Sequence, residues 1–455
     1  MNKIILSVGI ILLFIGICII PTIAQDTKEP LPSSSGHWLH VGGSGPGNYS
    51  RIQDAIDNAS NEDTVFVFHG TYYENIVINK AITVIGENRN TTIIDGKQNG
   101  NVVRLTANQI ELTRFTIQNC SDEWDVAGIK IQSNYNMVSN NIILSNASVW
   151  PTRNDGINII GKKHNNFTGN IICYGWDGIY LQSASENYFA DNTITKPIYG
   201  VYASDFCKNN TLIHNNISNI DNNNIYLEYD SNDWLISDNY LNIGTDAIFV
   251  YDCDNLTIRG NEIHNAYGSG VVIKGSNTTI SDNMASSCGY AGIMIQSGRL
   301  TTIINNTITD CSVGIDYAQG SQGNISYNNI QGSDNGMQIT EQGSSNLVSK
   351  NTFRNNHFGL YTDLKVGTVK IICNNFMNNT KSIVFQQTLP VRRQTPKNPI
   401  FDSNYYDDWK GVGPKILMGL TLLFVFPPIP FYGIPFYIPC VYCDWHPAQE
   451  PYDIP

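Results

Sequence analysis

The sequence predicts an all-β fold, a right-handed single-stranded parallel β-helix. About 13 coils of ~22 residues would be closed by a short N-terminal helix and an irregular C-terminal cap. Three observations predict it. An asparagine followed two residues later by an apolar side chain recurs at Asn140, Asn170, Asn192, Asn215, Asn239, Asn261, Asn283, Asn306, Asn328, Asn351 and Asn374. After a first step of 30, the intervals are all 22 to 24 residues. A second series, usually glycine followed by an aliphatic residue, runs in phase from Gly128 to Gly359. Finally, segments such as Gly178-Ile179-Tyr180-Leu181-Gln182 alternate apolar and polar residues, as half-buried strands require.

Each repeat is too short for two helices and a turn. Asn192-Thr193-Ile194 and Asn306-Thr307-Ile308 read as further short strands, with Asn, Gly, Ser and Asp clusters as corners. Parallel crossovers are right-handed in nearly all sheets, which sets the expected hand. Coils ~4.8 Å apart make a rod roughly 60 Å long, and residues one period apart stack into columns. The asparagine column is expected to hydrogen-bond backbone at the corners.

Four segments follow from composition. Residues 1–24 carry Lys3, an apolar stretch and Ala24-Gln25, an export signal or an uncleaved anchor. Residues 25–47 read as a linker, 48–400 as the β-helix and 401–455 as a proline- and aromatic-rich cap. Ser50-Arg51-Ile52-Gln53 has capping-box form, and Ile52, Ala55, Ile56 and Ala59 share one face of a short helical lid. In the cap, Ile416–Phe426 is apolar and prolines follow closely, which suits a hydrophobic plug or capping hairpin, or membrane contact. The N-terminal segment is the other candidate for membrane contact.

A formal net charge of −12, with 15% charged residues, argues against a nucleic-acid partner. Thirteen Asn-x-Ser/Thr sequons fit a glycosylated, secreted or cell-surface protein, although asparagine-rich corners also generate them by chance. Cys288 and Cys311 lie one coil apart, so either a disulfide or a pair of stacked thiols is expected. Cys440-x-x-Cys443 with His446 is half a metal site at most, and the eight histidines form no adjacent column.

The outward positions of the Gly-aliphatic strands carry the candidate chemistry. Tyr180, Tyr202, Tyr226 and Phe249 fall in one column, flanked by Trp176, Gln182 and Glu228. Rings that stack on a sugar's C–H face, beside carboxylates and amides that bind its hydroxyls, suit a polysaccharide. Stacked aromatics that only stabilise the sheet are the plainer expectation. Asp155 and Asp177 share a column on adjacent coils, and Asp246, further along it, or Glu228 would assist them in catalysis. Two carboxylates so close share a proton, bridge a cation, or serve as acid and nucleophile in glycoside hydrolysis. Corner aspartates splayed into water are the alternative. Asp230 and Asp252 are also in register, with Asp254 nearby, and offer an incomplete ligand set for calcium. The insertion Ala147–Arg153, with Trp150, is placed to wall one end of this face.

Tyr49-Ser50-Arg51-Ile52-Gln53-Asp54-Ala55-Ile56, Gly70-Thr71-Tyr72-Tyr73-Glu74-Asn75 and Ile82-Thr83-Val84-Ile85-Gly86 resemble the opening of pectin-lyase-like β-helix proteins. The coils that follow resemble the NosD-type carbohydrate-binding and sugar-hydrolase repeat domain. Asp444-Trp445-His446-Pro447-Ala448-Gln449-Glu450-Pro451 is similar to the close of exported archaeal β-helix proteins. The resemblance implies the fold and export. It covers lyases, hydrolases, epimerases and copper-processing proteins, so it names no single activity. Polygalacturonases carry Asn-x-Asp-Gly, Asp-Asp, Gly-His-Gly and Arg-x-Lys coils. Here only Asn154-Asp155-Gly156 and Asp177-Gly178 approximate them, and Tyr199-Gly200 stands where the histidine belongs. The expected function is therefore an exported surface protein that binds polysaccharide or scaffolds the envelope, with a polysaccharide enzyme and copper handling as alternatives.

Overall fold

The computed structural model describes residues 36–145, 154–340, 345–364, 369–388, 399–425 and 434–454. The expected signal segment and the Ala147–Arg153 insertion lie outside the described residues.

Each coil contributes three short strands, and each strand pairs in parallel with its counterpart on the next coil. Two of the resulting sheets hold 16 and 15 strands. The third runs from Ile76–Ile78 to Lys381–Thr388 and ends in an antiparallel hairpin. Alternation explains the core. Ile157, Ile179, Val201, Ile225 and Ile248 stack inward and are fully buried, while the residues that follow them, Asn158, Tyr180, Tyr202, Tyr226 and Phe249, line the outer side. The glycine column answers a steric demand. A Cβ on Gly178 would lie 2.5 Å from Ile194 Cγ2 and 2.6 Å from the Gly200 carbonyl. No side chain fits.

The asparagine column is a buried ladder. Asn239 shows the pattern: its backbone N–H and its Nδ2 both donate to Asn261 Oδ1, each at 3.0 Å. Its Nδ2 also donates to the Leu212 carbonyl on the preceding coil, at 2.9 Å. The same unit repeats from Asn141 to Asn404. The first member corrects the sequence expectation by one residue. Asn140 sits at the turn with φ of 53°, and Asn141 enters the ladder, because Ile143 rather than Ile142 stacks on Ile172. A second, shorter ladder joins Asn136, Asn165, Asn187 and Asn210.

The winding begins earlier than residue 48. Trp38–Val41 pairs with Thr64–Val67 as the first rung, with Val41 in the core. The helix Ile52–Asn58 covers the open end through Ile52, Ala55 and Ile56. Its cap differs from the expected capping box. No side chain of the preceding residues caps it; Glu74 accepts the N–H groups of Ile52 and Gln53 at 2.8 and 3.1 Å. Lys80 Nζ donates to the carbonyls of Ile56, Asp57 and Ala59 at the other end. An acid at the positive end and a base at the negative end complement the helix dipole, and both come from the following coil.

At the far end, strands Ile400–Asp402 and Tyr405–Tyr406 continue two of the sheets past residue 400. Strand Lys415–Val425 joins the third sheet beside Lys381–Thr388 and folds back as Ile434–Asp444. Its inner face closes the core. Leu417 is buried, and the Phe385 ring fills the space where a Gly419 side chain would stand.

Candidate functional site

The expected columns stack as drawn. Asp155 pairs with Asp177, and Asp177 with Tyr199. Asn158, Tyr180, Tyr202, Tyr226 and Phe249 follow one another along the next outward column. At one end of this face is a cleft of about 380 Å³, lined by Asp155, Asn158, Ile160, Asp177, Tyr180, Gln182, Trp124 and Asp125.

Strand geometry places the floor. In the strands Asn154–Ile160 and Asp177–Gln182 the two aspartates occupy the same rung position on neighbouring coils. They are 6% and 1% exposed, so they are not corner carboxylates splayed into water. Asn158 Nδ2 donates to Asp155 Oδ2 at 2.8 Å, while the buried Asn158 Oδ1 receives no hydrogen bond. Gln182 Nε2 donates to Asp205 Oδ2 at 2.9 Å and forms the far side. The near wall is Trp124, 70% exposed, in the corner before strand Val126–Ile131. Lys130 Nζ holds that corner through Asp125 Oδ2 at 2.5 Å and the Asp125 carbonyl at 2.9 Å.

The aromatic column is less open than a sugar platform. Its rings pack on one another, with centroids 5.6 Å apart for Tyr180–Tyr202, 5.1 Å for Tyr202–Tyr226 and 5.3 Å for Tyr226–Phe249. Tyr199 packs on both Tyr202 and Tyr226. The Tyr202 and Tyr226 hydroxyls donate to the two oxygens of Glu228, at 2.5 and 2.9 Å. Burial, then the bond to Glu228 and the nearby negative charges, hold both hydroxyls well above the ordinary tyrosine range. Glu228 thus clamps the column from the neighbouring one.

Other expected residues lie outside the cleft. Asp246 is three rungs beyond Asp177, past Tyr199 and Asn223, and accepts the Ser269 N–H at 2.6 Å. Burial raises its carboxyl above the usual range, partly offset by that hydrogen bond. Trp176 is half-buried beside Asp177 but does not line the cleft. Asp230, Asp252 and Asp254 are exposed at successive corners, and Asp254 accepts the Ser276 N–H. Among the described residues no group of three or more His, Cys, Asp or Glu is arranged to hold a metal ion.

Cys288 and Cys311 lie buried as free thiols, the stacked-thiol member of the two expected alternatives. Contact with Cys311, together with burial, raises the Cys288 thiol.

Four residues of the cleft, Trp124, Asp125, Asn158 and Ile160, escaped the sequence reading. Trp124 belongs to a long corner between Gln118 and Val126, where a coil exceeding the period is the available signal. Asn158 stands in the aromatic column but is not aromatic.

Residues 217–411 match the family model described as periplasmic copper-binding protein (NosD), and residues 80–241 match that of the right handed beta helix region. The chain is thus a right-handed parallel β-helix in which one segment is similar to the NosD family and an overlapping one to the right handed beta helix region. The copper in that description finds no donor set among the described residues. His37, His69, His164 and His446 each face a different carboxylate, far apart along the chain. No curated protein matches the chain. Among solved structures it is similar to the GH136 lacto-N-biosidase of Eubacterium ramulus, at 11% identity and TM-score 0.46, covering 70% of this chain and 68% of that one. It is also similar to the catalytic domain of a GH87 alpha-1,3-glucanase in complex with nigerose, at 14% identity and TM-score 0.46, covering 78% and 67%. A third is the mannuronan C-5 epimerase A-module of Azotobacter vinelandii, at 13% identity and TM-score 0.40, covering 77% and 92%.

Proposed function

We propose that the chain is an exported surface protein that binds a polysaccharide in the cleft between Trp124 and Gln182. One observation carries this. An exposed indole and the half-buried Tyr180 ring stand over a floor of Asp155, Asn158 and Asp177. A sugar ring stacks its C–H face on the aromatics while its hydroxyls donate to the carboxylates and to Asn158 Oδ1. The test is a glycan array or polysaccharide pull-down with Trp124→Ala and Tyr180→Ala. Loss of an aromatic anchor is expected to weaken binding about tenfold or more. Unchanged binding by both variants contradicts the assignment.

The carboxylate pair favours a second function, hydrolysis of a glycosidic bond at the same cleft. Stacked residues ~4.8 Å apart are near the ~5 Å carboxyl separation of retaining glycosidases. Asp177→Asn is expected to abolish reducing-sugar release from neutral polysaccharides while leaving binding in place. Equal release by variant and parent rules out catalysis by the pair.

A further inference from the structure

We propose that the outer face of the C-terminal hairpin docks on the surface of a zwitterionic lipid bilayer, independently of the cleft. Its inner face is already used, since Leu417, Gly419 and Tyr442 pack against Phe385 and the last coil. The outer face has no such cover. Ile416, Met418 and Leu420 are 60%, 68% and 46% exposed, and Val441, opposite Met418, is 56% exposed. From Ile416 through Cys443, 28 consecutive residues include no Asp, Glu, Lys, Arg or His. Charge returns at the base of both arms together, where Lys415 pairs with Asp444 across the hairpin. Lys415 also binds Asp408 at 2.7 Å.

Three physical points select lipid over other occupants. First, the arms pair over eleven rungs, so the hairpin is about 34 Å long, and its inner-edge backbone groups are satisfied before it meets an apolar phase. The rungs Leu423–Val425 continue past Leu422, which pairs with Thr388, the last residue of the neighbouring strand. Second, Pro435 and Pro439 stand on the outer arm, opposite Phe424 and Leu420. A proline in an antiparallel ladder takes the rung where its nitrogen faces the free edge, so that edge lacks donors at both positions. Strand addition by a second copy is thereby blocked, and fewer N–H groups must lose water on entering the interface. Third, residues 401–455 hold only Lys410 and Lys415 as lysine or arginine, against six acidic residues, in a chain of net charge −12. Attraction to anionic headgroups is therefore not the driving force; apolar burial is.

Hydrogen exchange of the full chain, with and without phosphatidylcholine vesicles, tests this. Amides of Ile434–Asp444 on the outer edge are expected to exchange several-fold more slowly with vesicles. Vesicles containing anionic lipid should protect equally or less. Because the readout is local, an N-terminal apolar segment that binds the same vesicles does not alter it. Met418→Asp with Val441→Asp should remove the protection, and Met418→Ser with Val441→Ser should weaken it. Neither pair faces the core, so exchange across the central coils serves as the folding control. No slowing with vesicles overturns the proposal. So does slowing that grows with protein concentration alone, which would assign the face to a second copy.

Discussion

Asp63 shows how one carboxyl fixes the N-terminal lid. It accepts the N–H of Ser60 at 2.7 Å and of His37 at 2.8 Å, tying the helix exit to the first strand. The Ser60 hydrogen bond, followed by that of His37, lowers its pKa below the ordinary 3.8 despite burial. A lowered carboxyl stabilises the fold fully above the unfolded value and loses that contribution as pH falls through the folded value. Exchange protection of Trp38–Val41 should therefore hold at pH 5 and decline only below about pH 4, ahead of the central coils. Protection that fails between pH 5 and 7 contradicts this. Glu228 makes the second residue-scale case. In Glu228→Gln the negative charge disappears, so Tyr202 and Tyr226 should ionise at lower pH in an ultraviolet titration. They should stay above ordinary tyrosine, because burial, the largest cause, remains. The period placed the two tyrosines in one column and Glu228 in the next, but it did not reveal that Glu228 faces the hydroxyls. That depends on side-chain reach across a coil, which spacing alone does not specify. Trp124 was hidden for a related reason, since it projects from a corner outside the repeat.

At the scale of an element, the asparagine ladder sets the register of the whole winding. Each member accepts from the coil before it and donates to both neighbouring coils, so removing one strands polar groups on the coil before it. In Asn239→Ala the N–H of Asn215 and the carbonyl of Leu212 lose their partners inside the core. Buried unsatisfied groups cost about 1–3 kcal/mol each, so a loss of roughly 3 kcal/mol is expected. Calorimetric or denaturant unfolding checks this, and a loss below about 1 kcal/mol would deny the ladder its role. Most of the ladder was legible because its members recur at one interval. Asn140 and Asn141 adjoin beside a lengthened coil, and periodicity cannot choose between neighbours there. The helix cap was misread for a different reason. Ser50 through Gln53 has the local form, yet Glu74 from the next coil supplies a stronger acceptor.

Across the whole molecule, a stack of coils has two ends, and stability there depends on how each ladder stops. At the C-terminal end an aspartate replaces the next asparagine. Asp444 is fully buried and accepts from the backbone N–H groups of Ser403, Asn404 and His446, from Asn404 Nδ2 and from the Tyr406 hydroxyl. Only a group with two acceptor oxygens can meet all of these donors. In Asp444→Asn one oxygen becomes a donor that confronts N–H groups, so the hairpin and last rung should detach. Contacts in a solenoid run only between neighbouring coils, so the damage should stay local. Hydrogen exchange should accelerate in residues 369–388 and 399–406 while residues 154–264 keep their parent rates. Binding at the cleft should also persist, since its floor and walls are built from coils far from this end. Uniform acceleration along the rod would mean that the coils unfold as one cooperative unit and that Asp444 supports all of them.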